Sequence, residues 1–153
     1  MEPNPEPNEK EPRILLVEDD RADRDKTLEA LRKYGLGYEV RVVSGGREAL
    51  DYLMGRGRFH ERSRHPLPDL VLLDMSLAPL DGLCVLNYIR EYERLRSIPV
   101  VMLCSTPEER DRAKVESVKA HAYAMKPVTP DDMRDLVRMT YPSFAGYAAM
   151  RFE

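Results

Sequence analysis

What this chain is short of narrows its chemistry first. It has two cysteines and three histidines among 153 residues, and Cys84 and Cys104 stand 20 residues apart with no CxxC and no histidine-rich spacing around either. That pattern excludes a disulfide framework and a thiolate or imidazole metal centre, and leaves two reduced thiols. No apolar run approaches the roughly 18 residues of a membrane span, and the first dozen residues lack the basic-then-apolar order of a secretory signal. The cytoplasm is the expected location. Positive charge is not in excess either: 24 Lys and Arg against 27 Asp and Glu give a formal charge of −3 and a pI near 5.7, so no global field favours nucleic acid. The length suits one domain and leaves no room for a second, output domain.

What is present is a regular alternation. Residues 1–12, MEPNPEPNEKEP, have the composition of a disordered leader. From Arg13 onward, short apolar runs at 13–17, 38–43, 69–73, 99–103 and 122–125 alternate with helical patterns: one ending near Tyr34-Gly35, then 46–55, 81–95, 106–119 and 129–141. The first, third and fourth runs are apolar throughout, as parallel strands covered on both faces are. Thr106-Pro107-Glu108-Glu109 is a capping box, Thr129-Pro130-Asp131-Asp132 repeats its pattern, and Gly35 and Gly55 mark helix ends. A (βα)5 chain of this kind predicts an α/β fold with a doubly wound parallel sheet, strand order 2-1-3-4-5.

In such a sheet, ligands bind at the carboxyl ends of the strands. Strand one ends in Glu18-Asp19-Asp20, strand three in Asp74, strand four in Cys104-Ser105-Thr106 and strand five in Lys126-Pro127. Any one of these acids could be a helix cap, and Lys126 alone could be a solvated lysine. Capping does not account for their joint placement. Carboxylates brought together raise one another's pKa unless a cation intervenes, and Mg²⁺, which prefers oxygen ligands, suits Glu18, Asp19 and Asp74. With Lys126 beside it, Asp74 fits the transfer of a phosphoryl group to a carboxylate.

ILLVEDD, DLVLLDMSLAPLDG, IPVVMLCST and AYAMKP, with this spacing over residues 13–141, resemble the receiver domain of two-component response regulators, which has a flavodoxin-like fold. The resemblance implies that Asp74 takes a phosphoryl group from a phosphohistidine on a sensor histidine kinase. It implies Mg²⁺ held by Asp19, Asp74 and the backbone carbonyl of Ser76, with Glu18 acting through water, and a cis proline at Pro127. Cys104 departs from the pattern. It lies 30 residues after Asp74 and 22 before Lys126, where the family has Thr or Ser. A thiol is a weak donor, so the switch hydroxyl is missing unless Ser105 substitutes. Tyr123 fits the aromatic half of that switch.

The segment 56–68, RGRFHERSRHPLP, reads as a solvated loop, although a similar extension occurs in single-domain regulators associated with bacterial phytochromes, the group the sequence most resembles. That implies a phytochrome-type kinase as partner. The apolar tail 142–153 is expected to dock on its own domain or across a homodimer. Two other functions stand beside the phospho-acceptor regulator. One is a receiver-like scaffold or phosphate sink weakened by Cys104. The other is an aspartate-nucleophile phosphohydrolase, which the presence of Ser76 in place of a second acid argues against.

Overall fold

Apolar runs of four or five residues with no polar face need cover on both sides, and a parallel sheet between two helical layers provides it. The computed structural model describes residues 13–35, 39–116 and 120–140, with side chains to 135. The leader, the tail and the tail-mediated dimer contact lie outside the described residues. β1 (Ile14–Val17), β2 (Val40–Val43), β3 (Leu70–Asp74), β4 (Val100–Cys104) and β5 (Ala122–Met125) form one parallel sheet in the order β2-β1-β3-β4-β5. α1 (Arg21–Lys33), α2 (Gly46–Met54), α3 (Gly82–Glu91), α4 (Pro107–Glu116) and α5 (Pro130–Thr140) connect and follow them. The predicted strand order is the observed one.

Strand alternation divides the core into two layers. Leu15, Val17, Val71, Leu73 and Met102 pack with Leu53 of α2, Leu86 of α3 and Ala113 of α4, while Ile14, Leu16, Leu70, Leu72 and Leu103 pack with Leu31 of α1 and Met133 of α5. Every helix but α2, which follows Gly45 without a side-chain cap bond, starts on a polar cap. Asp20 accepts from Asp23 N–H at 2.9 Å, Asp81 from Cys84 N–H at 3.0 Å, and Thr129 exchanges bonds with Asp132 in a reciprocal box. α2 stops at Gly55, whose φ of 67° is the left-handed cap that glycine adopts without strain.

Two expectations change. The third helix was expected to run to Leu95 but ends at Glu91, because Tyr92 turns extended (φ −91°, ψ 122°) and lets Leu95 and Ile98 reach the core through a turn instead. The Arg90 guanidinium donates to the carbonyls of Arg96 and Ile98 that this turn exposes. The segment 56–68 is docked and not merely solvated. It forms a short 3-10 turn at Gly57–Phe59, buries Phe59 against Tyr52, and sends Arg62 to the carbonyls of Tyr52 and Leu53 at 2.6 and 3.2 Å. His65 stacks edgewise on both aromatic rings. The Lys126-Pro127 bond is cis, and so is Ala78-Pro79.

Gly82 opens α3 where a side chain has no space: a β-carbon there would stand 2.3 Å from the Asp74 carbonyl oxygen and 2.9 Å from Met75 Cα. Gly82→Ala is therefore expected to cost about 1–3 kcal/mol or more by overpacking against backbone. A lowered urea midpoint at unchanged denaturant slope checks it.

Candidate functional site

Register brings the acids together. Val17 of β1 pairs with Leu73 of β3, so the next residues, Glu18 and Asp74, stand side by side at the carboxyl edge. Cys104 of β4 pairs with Met125 of β5, which sets Lys126 at the same level, its amide donating to the Cys104 carbonyl at 2.8 Å. Alternation aims Glu18, Asp74 and Lys126 to one side of the sheet, in step with Leu16, Leu72 and Ala124.

The Lys126 ammonium is the centre of the cluster. Its Nζ lies 3.0 Å from Glu18 Oε1, 2.9 Å from Asp23 Oδ2 and 3.2 Å from Asp74 Oδ2, and its side chain is 7% exposed. The second Asp74 oxygen, Oδ1, accepts from Ser76 N–H at 3.0 Å. Glu18 and Asp74 are 1% and 2% exposed. Oxygens of Glu18, Asp19 and Asp74 lie within 4.8 Å of one another, with Asp19 at the solvent edge.

Three carboxylates contact the one ammonium and Asp19 adds a fourth at the solvent edge, a surplus of negative charge around a largely dry Glu18 and Asp74. Burial first, then the neighbouring Asp74, pushes the Glu18 carboxyl up to about 8, against the pull of Lys126. For Lys126, burial works against the charge, but the bonds to Asp23 and Glu18 and the nearby Asp74 charge outweigh it and hold the ammonium above its ordinary range. Hard oxygen donors, with one acid open to water, fit Mg²⁺ or Mn²⁺ rather than Zn²⁺.

The structure brings Glu18, Asp19, Asp74 and Lys126 together and leaves Cys104, Ser105 and Tyr123 outside the cluster. Asp20 is the cap, which leaves Asp19 for the cluster. Cys104 is fully buried among Met102 and Ala113 in the layer under α2, α3 and α4, and burial, with Glu109 and Asp74 adding to it, pushes its thiol up to about 11. Ser105 is exposed, and its amide donates to Glu109 Oε2 at 3.1 Å. Tyr123 is half-buried on β5 against the same layer as Cys104. The sequence reading missed two acids. Asp23 sits in the first turn of α1, three residues past the cap, and only the fold shows that this turn overhangs Lys126. Glu109 was assigned solely to a capping box.

A flavodoxin-like sheet that gathers carboxylates from its first and third strands and a lysine from its fifth defines a class of signalling domain built around an acidic pocket. The chain belongs to the response regulator receiver domain family, whose model matches residues 14–138. It is 37% identical over 124 residues to the probable methanogenesis regulatory protein FilR2 of Methanothrix harundinacea, covering 81% of this chain and 77% of that one. With response regulator Rcp1 of Synechocystis it shares 32% over 126 residues, 82% of each chain. The Mn(2+)-bound form of Rcp1 superimposes with a TM-score of 0.66 at 29% identity, covering 93% of this chain and 95% of the other. The bacteriophytochrome response regulator RtBRR superimposes with a TM-score of 0.78 at 39% identity, covering 93% and 90%. The protein is thus a two-component receiver homologous to phytochrome response regulators, and receivers bind a divalent metal at their acidic pocket and interact with histidine kinases. Among the described residues no helix is long and apolar enough to cross a membrane.

The raised Glu18 has a consequence for the metal-free protein. Between about pH 4.5 and 8 the folded state holds a proton there that the unfolded chain has released, so this group's contribution to stability is complete below pH 4.5 and is lost as pH rises through 8. In chelator, the wild type is expected to lose more stability than Glu18→Gln between pH 6 and pH 8.5, as measured by urea unfolding. Equal losses would contradict the assignment.

Proposed function

We propose that Asp74 accepts a phosphoryl group from the phosphohistidine of a sensor histidine kinase, and that the phosphorylated chain signals by contact with another protein. The observation that carries this reading is the environment of Asp74: a buried carboxylate at a strand end, with one oxygen fixed by the Ser76 amide and the other beside Lys126. Both oxygens are thereby oriented before the donor arrives, which lowers the entropic part of the barrier. Asp74 attacks phosphorus as the bond to the histidine nitrogen breaks, and Lys126 offsets charge on the phosphoryl oxygens. Mg²⁺, held by Asp19, Asp74, the Ser76 carbonyl and Glu18 through water, would supply further offset of that charge. Water later cleaves the acyl phosphate and returns the carboxylate, so the chain is a phospho-acceptor without a separate substrate.

A phytochrome-type kinase as donor is supported by the likeness to RtBRR and Rcp1 and by the docked 56–68 segment. A homodimer is supported by the apolar composition of 142–153. A cytoplasmic location agrees with the partner class. Domain limits of 13–141, with a leader before and a tail after, belong to the same proposal.

Incubation with Mg²⁺ and acetyl phosphate is expected to add one phosphoryl group to the wild type and none to Asp74→Asn, read by intact mass. The same pattern is expected with a phosphorylated phytochrome-type kinase. Equal labelling of the two proteins would overturn the assignment.

A further inference from the structure

Glu109 stands outside the acid cluster yet touches both loops that frame it. As the third residue of α4 it donates its N–H to Thr106 Oγ1 at 3.1 Å, as a capping box requires. In such a box the acid's carboxylate returns to the amide of the cap residue. Here it reaches one residue further back, with Oε2 accepting from Ser105 N–H at 3.1 Å, while Oε1 accepts from Ser76 Oγ on the loop after β3. Ser76 is two residues past Asp74, and Ser105 follows Cys104 directly. One carboxylate therefore straps the start of α4 to the loop of the acceptor itself.

Beyond this strap, α4 has a small buried face and the ion pair of Arg112 with Asp81 at the start of α3, at 3.8 Å. Ala113 is the buried residue among those of this helix, and Val115 is 77% exposed. A helix with so small a buried face belongs to the low-stability end of a structure and responds to the loss of one contact. The charge of Glu109 is also felt inside the fold, where it helps to raise the Cys104 thiol.

We propose that Glu109 is a positioning residue that couples phosphorylation of Asp74 to the placement of α4, by holding the Ser76 hydroxyl and the Ser105 amide until phosphoryl oxygens take them. This rests on the acceptor role of Asp74. A phosphoryl group brings about two negative charges and three strong acceptor oxygens. The Ser76 hydroxyl and the Ser105 amide flank Asp74, and both are engaged by Glu109. As they turn to the phosphoryl group, the Glu109 carboxylate loses both bonds and meets a like charge, and α4 loses its strap. Cys104, a weak donor, cannot make the hydroxyl contact that would otherwise report the phosphate.

The test compares ¹⁵N-labelled full chains before and after acetyl phosphate and Mg²⁺, as wild type, Glu109→Gln, Glu109→Ala and Ser76→Ala. Intact mass counts phosphoryl groups in parallel. In the wild type, phosphorylation is expected to move the amide resonances of Ser105 and of Glu108 to Glu116. In Glu109→Ala those resonances are expected to lie at least halfway to the phosphorylated positions before any phosphate is added, and to move no more than half as far afterwards. Glu109→Gln, which keeps an acceptor oxygen but no charge, should fall between, and Ser76→Ala should shift in the same direction. An α4 spectrum of unmodified Glu109→Ala that superimposes on wild type, with the same displacement on phosphorylation, would overturn the coupling. So would wild type that gains phosphoryl mass with α4 unmoved. Absence of added mass in the wild type would instead overturn the acceptor reading, and the coupling with it.

Discussion

The Lys126 ammonium lies within 3.2 Å of carboxylates from three separate elements, the end of β1, the first turn of α1 and the end of β3. Take it away and Glu18 and Asp74, both nearly dry, would face each other across the strand ends with only a cation from solution to separate them. Breaking a buried charge group by removing one member typically costs about 3–5 kcal/mol, because the remaining charge stays unpaired. The lysine therefore neutralises much of the pocket at rest. It does not satisfy the pocket completely. The proton that Glu18 retains and the place left for a divalent ion are two ways of meeting the same deficit.

That deficit also explains the layout of the surrounding chain. Other acids at helix starts are engaged by backbone amides instead: Asp20 caps α1, Asp81 caps α3, and Asp132 closes the box at α5. The close backbone approach at Gly82 keeps the loop after β3 tight against the Asp74 carbonyl. Fixing the backbone on both sides of Asp74 limits the directions its carboxylate can take.

Most of the fold was legible because its signals are local. Solid apolar runs mark β1, β3 and β4, Thr-Pro-acid starts mark α4 and α5, glycine stops mark α1 and α2, and right-handed crossover connections then restrict the order of strands. The pocket was legible through the ends of strands, where Glu18, Asp74 and Lys126 follow directly from alternation. What the sequence hid depends on tertiary geometry. Asp23 reads as an ordinary first-turn acid until α1 is laid over Lys126. Glu109 reads as a cap until its carboxylate is seen on Ser76. The stretch 56–68 reads as polar because four arginines mask one phenylalanine, and the Tyr52, Phe59 and His65 cluster that docks it forms only after the chain folds back. Tyr92 ends α3 early although the apolar spacing continues, since Leu95 can be buried from a turn as well as from a helix.

The docked segment follows a helix that runs back from the strand tips and leads into the start of β3, so it sits at the amino edge of the sheet, away from Asp74. It carries its own apolar anchor in Phe59, and Arg62 ties it to the end of α2. Surface loops tolerate sequence change when a rigid scaffold holds their ends. Arg64 and His60, whose bonds stay within the segment, can thus be exchanged without disturbing the acids at the far edge. The segment and the acid cluster rest on separate contacts at opposite edges of one sheet, and each keeps its geometry when the other changes.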